Sequence, residues 1–191
     1  MKHIYTTSAR ALILMLLVGT ISVAGLACGS DAKDDDSSSG GPIAKINSTD
    51  RIYATDDITS VADFKLDDEY DIEGLDSAVS AIYGFYGEDP YNRLEYEIRF
   101  YPDHATATGI GVDFADEATG ADAVVLKDIQ RWDEGLKDRR QCAGNGGHHS
   151  GKCDNPKYFS YVVVGNMIVM CQGKDALTSL QACADLMSAV Q

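Results

Sequence analysis

The alternation of apolar and polar side chains is clearest between Arg93 and Tyr101. The apolar residues Leu94, Tyr96, Ile98 and Phe100 alternate there with the more polar Arg93, Glu95, Glu97, Arg99 and Tyr101. A period of two residues is typical of a strand with one face in a core and the other in water. We therefore predict a strand over 93–101 whose charged face meets solvent.

Apolar residues recur at spacings of three and four, which indicate helices, in three other segments. The first helix is predicted over 75–86, ending at Gly87. The second begins at an N-cap formed by Pro102-Asp103 and ends at Gly120. Its apolar stripe is Ala107, Ile110, Phe114 and Ala118. The third begins at Asp122 and includes Val125, Ile129 and Trp132, although residues 124–126 also fit a short strand.

The C-terminal third predicts a β-hairpin followed by a helix. Two apolar runs, 158–164 and 167–172, flank Gly165-Asn166, a dipeptide suited to a two-residue turn. Neither run alternates with polar residues, so both faces of the hairpin should be covered. The helix begins at Asp175 and presents Leu177, Leu180, Ala184 and Met187. Residues 43–62 could add an edge strand. The predicted fold is α+β, a two-layer sandwich with helices packed on a mostly antiparallel sheet.

The first thirty residues predict where the protein works. Lys2 and Arg10 precede an apolar run from Ala11 to Val23, and small residues follow up to Ala27-Cys28. This order is typical of a secretory signal, and cleavage would leave Cys28 at the N-terminus. A retained transmembrane anchor is the alternative, although the apolar run is at the short end of what spans a bilayer.

The segment Val23-Ala24-Gly25-Leu26-Ala27-Cys28-Gly29-Ser30 resembles the lipobox of bacterial lipoproteins. In that family the thiol of the Cys receives a diacylglyceryl group, with fatty acids such as palmitate. The resemblance implies that Cys28 is lipidated and that the protein is anchored to the cell membrane, facing the extracytoplasmic side. Beyond the leader, the chain is similar to small uncharacterised bacterial lipoproteins only in general layout. Small Gly25 and Ala27 would also satisfy an ordinary signal peptidase.

Three regions follow from these patterns. Residues 1–27 are the predicted signal peptide. Residues 28–42 contain no large apolar side chain, so they are expected to form a flexible acidic Ser/Gly tether behind the lipidated Cys. Residues 43–191 have the length and apolar content of a single domain.

The charge of the chain limits its partners. Two of the 16 basic residues lie in the leader and none of the 30 acidic ones do, so residues 28–191 carry a formal charge of −16. A nucleic-acid partner is therefore excluded. Anionic lipid headgroups would repel the domain too, so membrane attachment is expected through the acyl chains.

The five Cys residues fit an exported protein. Cys142, Cys153, Cys171 and Cys183 lie in the last fifty residues, which leaves Cys28 as the odd one. We predict pairing between neighbours, Cys142 with Cys153 and Cys171 with Cys183. Sequence alone leaves all three possible pairings open.

The loop between Cys142 and Cys153 contains His148 and His149, so it holds ligand types that zinc prefers. The spacing argues against a structural zinc site, because adjacent His side chains diverge and no Cys-x2-4-Cys pair is present. A disulfide that closes a Gly-rich surface loop is the favoured interpretation. Metal binding by His148 and His149 is the alternative, with zinc as the possible cofactor; otherwise no cofactor is predicted.

Two further clusters suggest contacts. Tyr86, Tyr91 and Tyr101 are the candidates for a contact surface in an aromatic-rich region, whereas Tyr83, Tyr96 and Phe100 fall on predicted core faces. The acidic stretch 63–76 has no calcium-loop register and is predicted to be a solvated run before the first helix.

No catalytic motif is present: the chain lacks a nucleophile elbow, His-Glu-x-x-His, a phosphate-binding glycine loop and a dinucleotide fingerprint. Asp103-His104 reads as a cap and first helical turn. We therefore expect a non-enzymatic binding or accessory module whose partner is an unknown protein or small molecule. A metal-binding lipoprotein that uses His148 and His149, and an enzyme of unidentified class, are the alternatives.

Overall fold

A computed structural model describes residues 42–88, 91–142 and 155–190. All of them belong to the unit Asp36–Gln191. The predicted signal and lipidation site, His148, His149 and Cys153 lie outside the described residues. Within the described ranges, no helix is both long and apolar enough to cross a membrane.

The described elements are helices of 3 to 14 residues and strands of 2 to 7 residues. They are β1 (Ile46–Asn47), α1 (Thr55–Thr59), β2 (Phe64–Glu69), β3 (Ser80–Tyr86), β4 (Leu94–Phe100), α2 (His104–Thr106), a π-helical turn (Ala107–Gly111), α3 (Val112–Ala118), β5 (Arg140–Gln141), β6 (Asn155–Pro156), β7 (Tyr158–Val164), β8 (Met167–Gln172) and α4 (Ala176–Ala189).

Six strands form one sheet in the order β1-β7-β8-β4-β3-β2. Every pairing is antiparallel except β1 with β7. Helices α1 and α4 contribute to the core on one face, and the π-helical turn and α3 contribute to the core on the other. The predicted α+β fold, with helices packed on a mostly antiparallel sheet, is confirmed.

The C-terminal hairpin and helix have the predicted bounds. β7 and β8 are almost entirely buried, and Gly165 has a φ of +55°, the left-handed backbone that the turn requires. Asp175 caps α4 by accepting a hydrogen bond from the Thr178 backbone N–H at 2.8 Å. The buried stripe of α4 differs from the prediction, because Leu177 is exposed while Cys183 and Leu186 are buried.

The helix predicted over 75–86 is wrong, because Ser80–Tyr86 is the strand β3. Ile82 faces the α4 side of the sheet, and Ala81 and Tyr83 belong to the core on the opposite side. Both faces are thus apolar, and the strand shows no polar alternation. Consequently the acidic residues 63–76 do not precede a helix: part of the run forms the exposed strand β2 at the sheet edge.

The helix predicted from Asp122 is also wrong, and so is the short strand considered over 124–126. Residues 121–139 fold as turns, and arginine side chains bind their backbone. Arg139 donates hydrogen bonds to the carbonyl oxygens of Trp132 and Glu134, and Arg140 donates to that of Val125. These bonds replace part of the backbone pairing that a helix would supply.

The helical region predicted to end at Gly120 is present, with Asp103 as its N-cap. Its second segment is the π-helical turn Ala107–Gly111, which adds a residue to the turn and changes which side chains face inward. Ile110 is therefore exposed, although it belonged to the predicted apolar stripe. Gly111 is buried instead, against the ring of Tyr101.

Candidate functional site

The charged face of β4 is buried, contrary to the prediction that it meets solvent. Glu97, Arg99 and Arg139 are each at most 1% exposed. Arg99 Nη2 lies 2.7 Å from Glu97 Oε1, and Arg139 Nε lies 2.7 Å from Glu97 Oε2. The guanidinium groups of both arginines also lie over the ring of Trp132. The segment 121–139 covers this part of the sheet and thereby excludes water.

Electrostatics favours the ionised form of Glu97. Burial by itself raises its pKa, but the charges and hydrogen bonds of Arg139 and Arg99 outweigh burial and hold the pKa below the ordinary value. A substrate could not reach this carboxylate without displacing the covering segment. The Glu97–Arg99–Arg139 cluster therefore fixes that segment on the sheet and is not itself a site for an external ligand.

An open cleft lies at the end of the sheet where β4 ends and the β7–β8 turn begins. Its volume is about 470 Å³. Its walls come from three stretches of chain: the residues just before and within α1, the start of β3, and the end of β4 with Pro102. The lining residues are Ile52, Tyr53, Ala54, Thr55, Asp56, Val79, Ser80, Phe100, Tyr101, Pro102 and Asn166.

The cleft combines exposed apolar side chains with a small polar group. Ile52 is 61% exposed and Val79 is 55% exposed, which leaves apolar surface on both sides. Thr55 Oγ1 and Ser80 Oγ are 3.2 Å apart and form a hydroxyl pair between the two walls. Asp56 is the one charged residue in the lining. Such a surface suits a small molecule with both apolar and hydrogen-bonding groups.

Asn166 holds the wall that contains Tyr53. The Tyr53 backbone N–H donates to Asn166 Oδ1 at 2.6 Å, and Asn166 Nδ2 donates to the carbonyl oxygens of Tyr53 and Tyr101 at 3.0 Å and 2.8 Å. The preceding residues are held as well, because the Gly165 N–H donates to the Asn47 carbonyl oxygen at 3.0 Å. The cleft wall is thus fixed although it lacks a strand.

His104 supports the same turn from the other side. Its Nδ1 lies 2.7 Å from the carbonyl oxygen of Gly165. Asp103 is the helix cap that the sequence predicts: it accepts hydrogen bonds from the Thr106 backbone and hydroxyl, which lower its pKa. Asp103 therefore caps a helix and His104 holds the β7–β8 turn. The imidazole of His104 contacts a backbone carbonyl oxygen rather than a carboxylate.

The predicted tyrosine contact surface is not assembled. Tyr101 is fully buried, and Tyr86 is half-buried with its ring against that of Tyr96 on the opposite face of the sheet. Tyr91 is 92% exposed. Tyr83 and Tyr96 are buried in the core, as predicted. Of the three contact candidates, Tyr101 alone lines the cleft.

The cysteines follow the predicted pattern as far as the structure describes them. Cys171 and Cys183 form a disulfide between β8 and α4, with Cα atoms 5.6 Å apart. Cys142 is also disulfide-bonded. The described residues contain no group of three or more His, Cys, Asp or Glu side chains that could hold a metal ion. The alternative metal site at His148 and His149 lies outside that part of the chain.

Apart from Tyr101, the sequence analysis did not identify the residues that build the cleft. Ile52 fell in a segment without a clear pattern, Val79 was assigned to the helix predicted over 75–86, and Asn166 was interpreted only as a turn residue. No local pattern marks Ile52 and Val79 as the apolar residues that stay exposed. Nothing local indicates that Asn166 binds Tyr53, because 113 residues separate them.

Comparison with known proteins places the chain in a family whose function is unknown. Residues 54–191 match the model of a family described as a family of unknown function, DUF6810. The match includes Val79, Tyr101 and Asn166, and it begins directly after Ile52 and Tyr53. No curated protein and no solved structure matches the chain.

Proposed function

We propose that this chain is a lipid-anchored extracytoplasmic module that binds a small amphipathic molecule. The chain belongs to the family of unknown function that residues 54–191 match. The binding site is the open cleft lined by Ile52, Val79 and Asn166, which we call the Asn166 cleft. The observation that carries the proposal is the composition of the cleft: exposed Ile52 and Val79 flank the Thr55–Ser80 hydroxyl pair. Apolar surface provides affinity, and a few placed polar groups provide orientation.

The charge of the site favours an uncharged or cationic ligand. Asp56 is the charged residue of the lining, and the surrounding domain is strongly acidic. An anionic ligand would approach against this field, while a neutral or cationic one would not. The hydrogen bonds between Asn166 and the Tyr53 backbone hold this wall of the cleft in place before a ligand binds. Less conformational entropy is therefore lost on binding.

The location rests on the leader and on the cysteines. The lipobox-like segment supports lipidation of Cys28. Because Cys171 and Cys183 bind each other, the partner of Cys142 is either Cys28 or Cys153. Pairing with Cys153 leaves the Cys28 thiol for the lipid. The acidic tether then separates the domain from the headgroups.

Metabolic labelling with a fatty acid tests the anchor. Wild type should incorporate the label and sediment with membranes, and Cys28→Ala should do neither. Continued labelling of Cys28→Ala would show that Cys28 is not the acylated residue. This experiment leaves the cleft untouched, so it separates location from binding.

Binding of the uncharged dye Nile red tests the cleft. We would use residues 28–191 with Cys28→Ser, oxidised and without lipid, and follow the dye fluorescence. Ile52→Asp should weaken saturable binding at least about fivefold, because it places a charge on the apolar wall. Ile129→Asp is the matched control, since Ile129 is 65% exposed and lies outside the cleft. Equal affinities for the two variants would contradict the assignment.

A further inference from the structure

A second open groove lies between the turn that joins α1 to β2 and the C-terminal end of α4. Its volume is about 540 Å³, and its lining includes Val61, Asp63, Tyr86 and Ala189. We call it the α4 groove. Strand β3 begins with Ser80 at the Asn166 cleft and ends with Tyr86 at the α4 groove, so the two openings lie at different ends of that strand.

The end of α4 presents partial negative charge to this groove. The last carbonyl groups of an α-helix have no partner within the helix. No described group outside α4 donates a hydrogen bond to the carbonyl oxygens of residues 186–189. The last turn contains no basic residue, and the C-cap Val190 has an extended backbone. The negative end of the helix dipole is therefore left without a compensating cation.

Two carboxylates line the groove, and one of them is compensated. Asp57 accepts hydrogen bonds from the Ala54 backbone N–H at 2.8 Å and from Arg51 Nη2 at 2.6 Å. These two contacts hold the pKa of Asp57 below its ordinary value. The Asp63 carboxylate, in contrast, makes no ion pair and no hydrogen bond with a described residue. Its negative charge is available to a ligand.

The basic residues near this turn lie on the other face of the sheet. Lys65 and Arg93 share a smaller pocket with Asp63. Lys65 pairs with Phe85, and the Arg93 guanidinium lies over the ring of Phe85, which packs on the face away from α4. Tyr86 packs on the α4 face instead. No basic residue is among the described residues that line the α4 groove.

The composition of the groove favours an organic cation over a metal ion. Calcium requires six to eight oxygen ligands, and the described residues contain no group of three or more His, Cys, Asp or Glu side chains that could hold a metal ion. Val61 and Tyr86 are half-buried and add apolar surface to the walls. A cation that carries an aliphatic chain would use both the charge and this apolar surface.

We propose that the α4 groove binds a primary ammonium group carried by a short aliphatic chain. The ammonium group has three N–H donors, which bind the Asp63 carboxylate and the free carbonyl oxygens at the end of α4. The chain packs on Val61 and Tyr86. The formal charge of −16 on residues 28–191 attracts such cations to the domain. Because this groove and the Asn166 cleft have different lining residues, each proposal can fail without the other.

Titration of the full-length, ¹⁵N-labelled chain in nonionic detergent with n-butylammonium chloride tests the site. Saturable amide shifts are expected at Ala62, Asp63, Tyr86 and Ala189. 1-Butanol has the same chain without the charge, and calcium chloride has charge without the chain. Each should bind there at least about threefold more weakly than butylammonium, since an exposed ion pair contributes up to about 1 kcal/mol.

Asp63→Asn removes the charge with little change in shape, and it should weaken butylammonium binding at least about threefold. Its φ of +64° is a conformation that Asn adopts as readily as Asp, so the turn should be kept. Asp67→Asn is the matched control, because Asp67 is exposed on β2 and lies outside the groove. This variant should keep the wild-type affinity.

Three results would overturn the proposal. The first is the absence of saturable wild-type shifts around the groove. The second is an affinity for 1-butanol or calcium that equals the affinity for butylammonium. The third is an Asp63→Asn variant that binds butylammonium as tightly as Asp67→Asn does.

Discussion

Tyr53 and Asn166 bind each other through two hydrogen bonds across 113 residues of sequence. The Tyr53 N–H donates to Asn166 Oδ1, and Asn166 Nδ2 donates to the Tyr53 carbonyl oxygen. The side chain of Asn166 thus acts toward Tyr53 as a neighbouring strand would. Because Asn166 is only 1% exposed, water cannot replace these bonds. One amide group therefore joins the N-terminal segment to the β7–β8 turn.

Asn166→Ala should destabilise the domain by about 2–3 kcal/mol, because it leaves the half-buried N–H of Tyr53 and two carbonyl oxygens without their partner. The cleft wall should loosen in the same variant, so dye binding should weaken as well. Urea denaturation and the Nile red titration measure the two effects.

The control for this variant is Asn92→Ala, an exposed position where a change of at most about 0.5 kcal/mol is expected. A similar loss of stability in both variants would show that the hydrogen bonds of Asn166 contribute no more to the free energy of unfolding than an exposed asparagine does.

Glu97→Gln should cost about 3–5 kcal/mol, because it leaves the buried Arg99 and Arg139 without a counter-charge. It should also reduce the acid sensitivity of the fold. The folded-state pKa of Glu97 is lowered, so the stabilisation by its carboxylate is complete above the ordinary glutamate pKa of about 4.3 and is lost as the pH falls below it.

Free energies of unfolding at neutral pH and near pH 3 check this sign. Wild type should lose more stability on acidification than Glu97→Gln. Glu73→Gln, at an exposed position, should follow the wild type. An acid response that is unchanged in Glu97→Gln would contradict the lowered pKa.

Gly109 and Gly111, which lie in the π-helical turn six and eight residues after Asp103, should respond oppositely to alanine. At Gly111 the new Cβ would lie 2.6 Å from Tyr101 Cζ and 2.9 Å from Ile168 Cδ1, so Gly111→Ala should destabilise by about 1–3 kcal/mol. At Gly109 nothing lies within 4 Å of that position. Gly109→Ala should therefore stabilise by up to about 1 kcal/mol through helix propensity. Thermal unfolding distinguishes them, and equal shifts of the same sign would refute the contact.

The Cys171–Cys183 disulfide should stabilise the domain by about 2–3 kcal/mol, because it closes a chain segment with a sequence separation of 12. The double variant Cys171→Ala/Cys183→Ala opens this bond and leaves Cys142 unchanged. Its urea midpoint should fall accordingly. An unaltered midpoint would show that the buried packing of α4 on β8 suffices without the bond.

Local sequence patterns predicted two kinds of strand: a strand with one apolar and one charged face, and strands joined by recognisable turn residues. The period of two gave β4, and Gly165-Asn166 gave the hairpin. The burial of the charged face of β4 escaped prediction, because it depends on Arg139, which lies 42 residues after Glu97. A charged stripe is solvated or buried according to what covers it, and a period alone does not contain that information.

β3 was mistaken for a helix because both of its faces are apolar. Leu75 and Ala78 lie at helical spacing from Ile82, although they belong to the turns before the strand. The aromatic and β-branched content of 80–86 was the better signal. In the structure the ring of Phe64 lies over Gly84, 2.7 Å from where a Cβ would be, and this contact with the neighbouring strand has no local signal in the sequence.

The cleft could not be predicted, because its walls meet only in the folded chain. Ile52, Val79 and Asn166 come from three segments that share no motif.

The most direct test of the account is the location of ligand contacts by methyl NMR. Residues 28–191 with Cys28→Ser, labelled at isoleucine and valine methyl groups, would be titrated with a library of small uncharged and cationic compounds. The account predicts saturable shifts at Ile52 and Val79, while the exposed Ile129 stays unchanged. Shifts that cluster at Ile129 or elsewhere, with Ile52 and Val79 unaffected by every compound, would contradict a binding site in the Asn166 cleft.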